Sequence, residues 1–256
     1  MIASVLGLGA GFFGVYYYFQ HAAGAELVAE ANELKREAVK VPIFSPTTTA
    51  PTKDVVVTTT QMVAKNSAFN LAVPFFPQAP KKLWDKDHED YCEEAVLLGI
   101  DAFLKHKTYS LDEMEAELKK MRDFEIETFG YFESTSVELT ARVAREYLGY
   151  KKVRIIDNPT IEMIRAEVSA GRPVAVPANG KELKNPYFKN GGPVFHMYVV
   201  RGFTEGGDVI VNDPGTQHGE NFVYKKEVVL SSMHDWNHAQ DITKEASGIP
   251  RVLVLE

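Results

Sequence analysis

A single cysteine, Cys92, is all that this chain of 256 residues contains. A disulfide within the chain is therefore excluded, the redox compartment is left open, and a zinc site built on several thiolates cannot form. Positive charge is also short, with 28 Lys and Arg against 35 Asp and Glu and a net charge of −7. No stretch gathers Lys and Arg into a strongly basic stripe, which argues against nucleic acid as a partner, because phosphate recognition needs such a stripe. Internal repeats are lacking. What is present, 45% hydrophobic and 25% charged residues, suits one large domain or two small ones with a substantial core.

Charged side chains are missing before Glu26, and residues 1 to 22, MIASVLGLGAGFFGVYYYFQHA, form an apolar run about long enough to cross a bilayer as a helix. Tyr16 to Tyr18 fall where an aromatic belt is favoured, and Gly7 with Gly11 offers a small-xxx-small face. The segment is expected to be a transmembrane anchor or uncleaved signal, since it lacks a basic n-region and a clean cleavage site, while AAGA at 22 to 25 keeps cleavage open. The membrane is thus an expected partner, with the remaining chain expected outside the cytoplasm. The same segment spells Gly9-x-Gly11-x-x-Gly14, letter for letter a dinucleotide-binding fingerprint. That fingerprint needs a helix and then a second strand ending in an acidic residue. The chain instead runs into the Pro- and Thr-rich VPIFSPTTTAPTKDVVVTTT, so the membrane helix is preferred. Residues 23 to 66 read as a short, mostly polar helix from Ala25 followed by an extended linker whose composition cannot build a core.

Residues 67 to 256 are expected to fold as one domain. Ser110-x-x-Glu113 caps a helix running to about Lys120, Ser134 to Ser136 open another that ends at Gly149, and Thr160 starts a third that stops at Gly171. RPVAVPA, PVFHMYVVRGF, GDVIVNDPG, ENFVYK and PRVLVLE are β-branched and aromatic runs bounded by Gly, Pro and Asn, and each predicts a strand. Helices first and strands later predict an α+β domain.

Free cysteine is commonly a buried filler, so Cys92 needs partners before it can be read as a nucleophile. Asp90-x-x-Glu93 has the form of a capping box, which places Asp90 at the N-cap and Cys92 in the first turn of a helix continuing through AVLLGIDAFL. Unpaired backbone N–H groups and the positive end of the helix dipole stabilise a thiolate there, while Glu93 and Glu94 oppose it. A His⁺ partner is therefore required for the depressed thiol pKa that catalysis favours. His88 lies in an acidic loop and is expected to be solvated, as is the whole acidic run from Asp85 to Glu94. His196 sits on a predicted strand, sharing a face with Tyr198 and Val200. Across the TEGG hairpin an antiparallel neighbour ends at Asp213, within reach of the imidazole. Each residue has a plain structural alternative, a satisfied sheet histidine or a simple NDPG turn. Together, a helix-start Cys, a strand His and an adjacent-strand Asp fit a catalytic triad. His234 and His238, spaced i, i+4, could share a helical face for a metal, but a third ligand and the glutamate of a metalloprotease are missing, so no metal is expected. Trp84 and Trp236 read as packing or groove-lining residues.

With VPFFPQAP upstream of YCEEAVLLGI, and FHMYVVRGF followed by VIVNDPGT, the chain resembles the papain-like cysteine peptidases of family thirty-nine. These are the bacteriocin-processing, double-glycine leader type, and the likeness is strongest to their stand-alone relatives. It covers about residues 70 to 240 and implies a papain-like fold, in which a helical half carries the nucleophile at a helix N-terminus against an antiparallel sheet half. By position it implies Cys92 as nucleophile, His196 as general base and then acid, and Asp213 as orienter. It also implies Gln78 as an oxyanion-hole donor beside the backbone N–H of Cys92. Two departures stand out. Many members have Cys-Gly-Pro-Ala where this chain has Cys92-Glu93-Glu94-Ala95, and KKLWDKDHED lengthens the gap from Gln78 to Cys92. The transporter domains fused to leader-processing members are not seen, so a double-glycine substrate is not implied. The expected function is hydrolysis of a peptide bond in a peptide or protein through a thioester acyl-enzyme, with no metal or organic cofactor. The alternatives are a cell-wall peptide hydrolase or acyl transferase using the same groups, and a non-catalytic peptide-binding module that kept the pocket.

Overall fold

A computed structural model describes residues 7–44, 67–238, 241 and 243–256. Helix α1 (Gly7–Lys40) is continuous, where an apolar segment and a separate polar helix were the expectation. Among the described residues no helix is long and apolar enough to cross a membrane, so the anchor expected over residues 1–22 is not found there; residues 1–6 lie outside the described ones. The reason is compositional: Tyr16 to Tyr18, Gln20 and His21 dilute the apolar run, and from Glu26 the same helix turns polar. Its C-terminal end packs on the sheet, where Ala38 and Val41 are buried with Ile210 and Val223. Strand β1 (Ile43–Phe44) pairs parallel with β2 (Phe69–Leu71). The intervening linker, residues 45–66, falls outside the described residues.

The helical half follows the local signals closely. After α2 (Cys92–Leu104), α3 (Leu111–Phe129) begins at a reciprocal Ser110/Glu113 capping box and runs well past Lys120, until Gly130 takes the left-handed conformation (φ 86°) that ends helices cheaply. Helix α4 (Val137–Arg142) is capped by the Ser136 side chain and passes into one π-helical stretch, Val143–Tyr147, before Gly149. Strand β3 (Val153–Asp157) has no counterpart among the expected strands, because its three apolar residues are interrupted by Arg154 and flanked by charge. Thr160 caps α5 (Ile161–Ser169), as its position predicts. The strand half comprises β4 (Val174–Ala178), β5 (His196–Phe203), β6 (Val209–Asn212), β7 (Phe222–Tyr224) and β8 (Arg251–Leu255), with α6 (Lys226–Ser232) between the last two.

Among the described residues there is one eight-stranded sheet in the order β1-β2-β5-β4-β8-β3, with β6 pairing to β5 and β7. The architecture is mixed α+β. All of β5 is buried, since β4, β6 and β2 occupy its edges and α2 and α5 pack against it. Val96, Leu97 and Ile100 of α2 share the main core with Met197 and Val199 of β5, which fixes the start of α2 against the start of β5.

A register shift between Val200 and Gly202 places Arg201 where a buried cation can be fully used. Its guanidinium donates to Asn70 Oδ1 (2.8 Å), Val73 O (2.9 Å), Asn212 Oδ1 (3.0 Å) and Leu71 O. Asn212 Nδ2 donates in turn to Val73 O at 2.9 Å. The knot ties the stretch leading to Gln78 onto the two strands that carry His196 and lead into Asp213. Burial lowers the Arg201 pKa to about 10. Arg201→Met removes all four donated bonds, and a loss of about 3 kcal/mol in chemical denaturation is expected. A loss below about 1 kcal/mol would show the network to be incidental.

Candidate functional site

Cys92 is the first residue of α2, but the N-cap is Tyr91 and no side chain caps the helix. The capping box expected at Asp90 and Glu93 is not formed. Asp90 is half-buried outside the helix, and burial, with the nearby charges of Glu133 and Glu89, raises its pKa to about 6. Glu93 turns instead to the sulfur. Cys92 Sγ–H donates to Glu93 Oε2 at 2.8 Å, while Thr135 N–H (2.7 Å) and Oγ1–H (3.3 Å) hold Glu93 Oε1. Ser134, in a left-handed conformation (φ 50°), turns the chain just before Thr135. Burial, followed by the charge and hydrogen bond of Glu93, pushes the Cys92 thiol well above its ordinary range. The expected depressed thiol is thereby corrected. The benefit of a helix N-terminus is confined to its first turn and is modest beside full burial next to a carboxylate.

The acidic run is solvated only in part: Asp85 and Glu89 are exposed as expected, but its C-terminal end is not. Glu93 and Glu94 are each 1% exposed, and Glu94 meets Glu125 of α3 in the interior. Neither oxygen of Glu94 has a hydrogen-bond partner. Burial and the Glu125 charge beside it therefore favour Glu94 in its protonated form. Burial raises Glu93 to about 7 and Glu125 to about 8, and pushes Glu94 well above the ordinary carboxylate range. His88, expected in solvent, is also buried, its Nδ1 2.6 Å from Asp85 Oδ1 and its Nε2 3.0 Å from Glu115. Burial alone would lower the His88 pKa, but the bonds to Asp85 and Glu115 outweigh it and the net shift is upward.

His196 and Asp213 do meet across the β5–β6 hairpin, with His196 Nε2 2.7 Å from Asp213 Oδ1. Asp213 is fully buried and also accepts from the Gly215 N–H (3.0 Å), the Asn185 amide (3.3 Å) and the Tyr224 hydroxyl. Burial opposes its ionisation, but the His196 charge and these donors outweigh burial and hold its pKa below the usual range. An ionised Asp213 requires the hydrogen on His196 Nε2, which leaves Nδ1 of the neutral ring as a proton acceptor. Phe188 stands edge-on to the imidazole (centroids 5.1 Å apart), and a Cβ at Gly215 would come 2.8 Å from His196 Cε1. Phe188 and Gly215 crowd the ring, and Asp213 holds it at Nε2. Gln78 is buried, its backbone N–H bonded to Pro214 O (3.1 Å) and its amide donating to the His88 carbonyl at 2.8 Å. The amide nitrogen retains a second hydrogen, so the buried His88 acts on the site by orienting Gln78.

One cavity of about 450 Å³ brings Cys92, His196 and Gln78 together, with Trp84 and Glu93 also on its wall and Asp213 behind His196. Asn185, Tyr224 and Thr135 were not singled out by the sequence, since each makes its contact only after a long chain separation. His234 and His238 do not form the i, i+4 helical pair; the chain there is irregular, His234 bonds Gly248 O and His238 bonds Ser247. Among the described residues no group of three His, Cys, Asp or Glu is arranged to hold a metal ion. Trp236 packs on Phe195 (5.6 Å), away from the groove.

A mixed α+β domain with a helix-start cysteine and a carboxylate-bound strand histidine on one cavity is the class of protein these features define. The chain belongs to the Peptidase_C39 like family, whose model matches residues 70–243. Among solved structures it is similar to one described as that of a C39-like peptidase from Bacillus anthracis, at 18% identity and a TM-score of 0.45, covering 72% of this chain and 95% of that one. A prointerpain A fragment from Prevotella intermedia matches at 18% identity and a TM-score of 0.34, covering 57% of this chain and 43% of that one. No curated protein matches the chain.

Proposed function

We propose that this chain is a cysteine peptidase in which Cys92 is the nucleophile, His196 the base and then acid, Asp213 its orienter and Gln78 an oxyanion donor. The observation that carries this reading is the 2.7 Å bond from His196 Nε2 to Asp213 Oδ1, at the wall of the cavity that also holds Cys92. Membership in a peptidase-like family supports it.

In this reading the Cys92 sulfur adds to the scissile carbonyl carbon as its proton passes to His196 Nδ1. The carbonyl electron pair moves onto oxygen, where the Gln78 amide and the Cys92 backbone N–H can receive it. Collapse breaks the C–N bond, His196 gives its proton to the departing amine, and a thioester remains. Water then adds with its proton going to His196, the C–S bond breaks, and the proton returns to sulfur.

A second reading, a non-catalytic peptide-binding module, is favoured by one observation, the buried thiol whose proton is held by Glu93. Both are tested by incubating the full chain with a mixed panel of peptides and muropeptides and detecting new termini by mass spectrometry, with Cys92→Ala as control. Cleavage by the native chain and none by the variant is the expected result. Peptide binding by both chains without cleavage by either would hand the site to the binding module.

A further inference from the structure

The oddest contact in the site is the one the family resemblance does not provide for, a carboxylate on the nucleophile's own proton. Glu93 Oε2 accepts from Cys92 Sγ at 2.8 Å, and Glu93 cannot swing away freely because Thr135 holds its other oxygen through both N–H and hydroxyl. Both residues lie on the wall of the same cavity. Two charged environments compete for the thiol. On one side stands His196, already committed through Nε2 to Asp213. On the other stands a run of acids: Glu93 and Glu94 on the helix itself, Glu125 from α3, and Asp90 with Glu89 and Glu133 from the neighbouring loops. The remaining basic side chains on the cavity are Lys189 and His218, in the loops after β4 and β6.

We infer that Glu93 is a positioning residue that latches the resting site in its neutral form, holding the Cys92 proton on sulfur until a bound substrate displaces or neutralises the carboxylate. This rests on the reading of Cys92 and His196 as the reacting pair. A thiol with a carboxylate acceptor has its proton stabilised and its thiolate repelled, the reverse of what an amide at the same place would do. The resting nucleophile is then a thiol that His196 deprotonates as attack begins, rather than a standing thiolate and imidazolium. Resistance to indiscriminate alkylation and oxidation follows, since both follow thiolate character.

Glu93→Gln separates this role from mere packing. The amide keeps the volume, its oxygen can still accept from Thr135, and its N–H groups would donate to a thiolate instead of repelling it. The alkylation rate of the full chain by iodoacetamide is to be followed from pH 5 to pH 10 for the native protein, Glu93→Gln, Glu94→Gln and His196→Ala, with circular dichroism as the check on folding. The latch predicts a native midpoint above the roughly 8.5 of an ordinary thiol. It also predicts that Glu93→Gln moves that midpoint down by at least about one pH unit, a tenfold or greater rise in rate at pH 7, with Glu94→Gln shifting it less. A folded Glu93→Gln variant with an unchanged profile overturns the latch. Should that variant not fold, a native midpoint below about pH 7 overturns it equally. The His196→Ala profile belongs to the peptidase reading: if it matches the native one while Glu93→Gln is shifted, the latch stands and the His196 assignment fails.

Discussion

Replacing His196 with alanine is expected to reduce kcat/KM toward any peptide the native chain cleaves by about 10³-fold or more, with little change in unfolding temperature. The size follows from the latched thiol. Where burial and Glu93 keep the proton on sulfur, little thiolate stands ready and nearly all attack must pass through a positioned base. The fold should survive because Asp213 keeps its bonds from Tyr224, Asn185 and Gly215 when the imidazole is gone. Asp213→Asn is the companion variant. An asparagine amide turned toward Nε2 would make that nitrogen an acceptor and put the hydrogen on Nδ1, so activity falls although the ring stays in place. A loss below about tenfold in His196→Ala, in a chain that does turn over peptide, would remove His196 from the reaction.

Raising the pH from 5 to 8 should make the protein less stable, by roughly 5–10 °C in unfolding temperature. Burial raises the pKa of Glu93 to about 7 and of Glu125 to about 8, and also lifts Glu94 well above its ordinary value. A group whose folded pKa is raised binds its proton more tightly folded than unfolded. Its contribution is therefore full below the unfolded carboxylate value of about 4.3 and is lost as pH climbs through the folded values, here toward 8. His88, raised by Asp85 and Glu115, adds to the same slope above about pH 6.5, whereas depressed groups such as Asp213 act only at more acidic pH. Asp101, equally buried on α2, is met by Lys105, Lys107 and the Tyr150 hydroxyl. Glu94 has no such cation, only Glu125. The double variant Glu94→Gln/Glu125→Gln, which removes both buried ionisable groups, should flatten the slope and be the more stable protein at pH 8. Differential scanning calorimetry across the range is the check. A native unfolding temperature that rises steadily from pH 5 to 8 would contradict the raised pKa values of these buried carboxylates.

Much of this was readable in the chain. The caps at Ser110, Ser136 and Thr160, the hairpin between β5 and β6 and the meeting of His196 with Asp213 rest on rules that operate within a few residues or across one tight turn. Errors fell where a local pattern was shared by two outcomes. Asp90-x-x-Glu93 has the letters of a capping box, but Glu93 found the thiol and Thr135 instead. The stretch from Asp85 to Glu94 looks solvated by composition, yet Glu94 comes to lie beneath α3 and His88 between two carboxylates. The single continuous α1 was split because apolar and polar halves read as different objects.

The sequence by itself determined the mixed α+β class, the helix starts, and the candidates Cys92, His196 and Asp213, because periodicity, capping and turn chemistry are properties of short segments, while Gln78 came only from the family resemblance. Only the tertiary structure decided who neighbours whom across 11 to 130 residues: Glu125 against Glu94, Thr135 on Glu93, Asn185 and Tyr224 behind Asp213, and Arg201 binding Leu71 and Val73. These contacts set which charges lose their water and what replaces it. The protonation state of Cys92 is therefore a property of the packed interior, where desolvation and one carboxylate outweigh anything its own helix turn could supply.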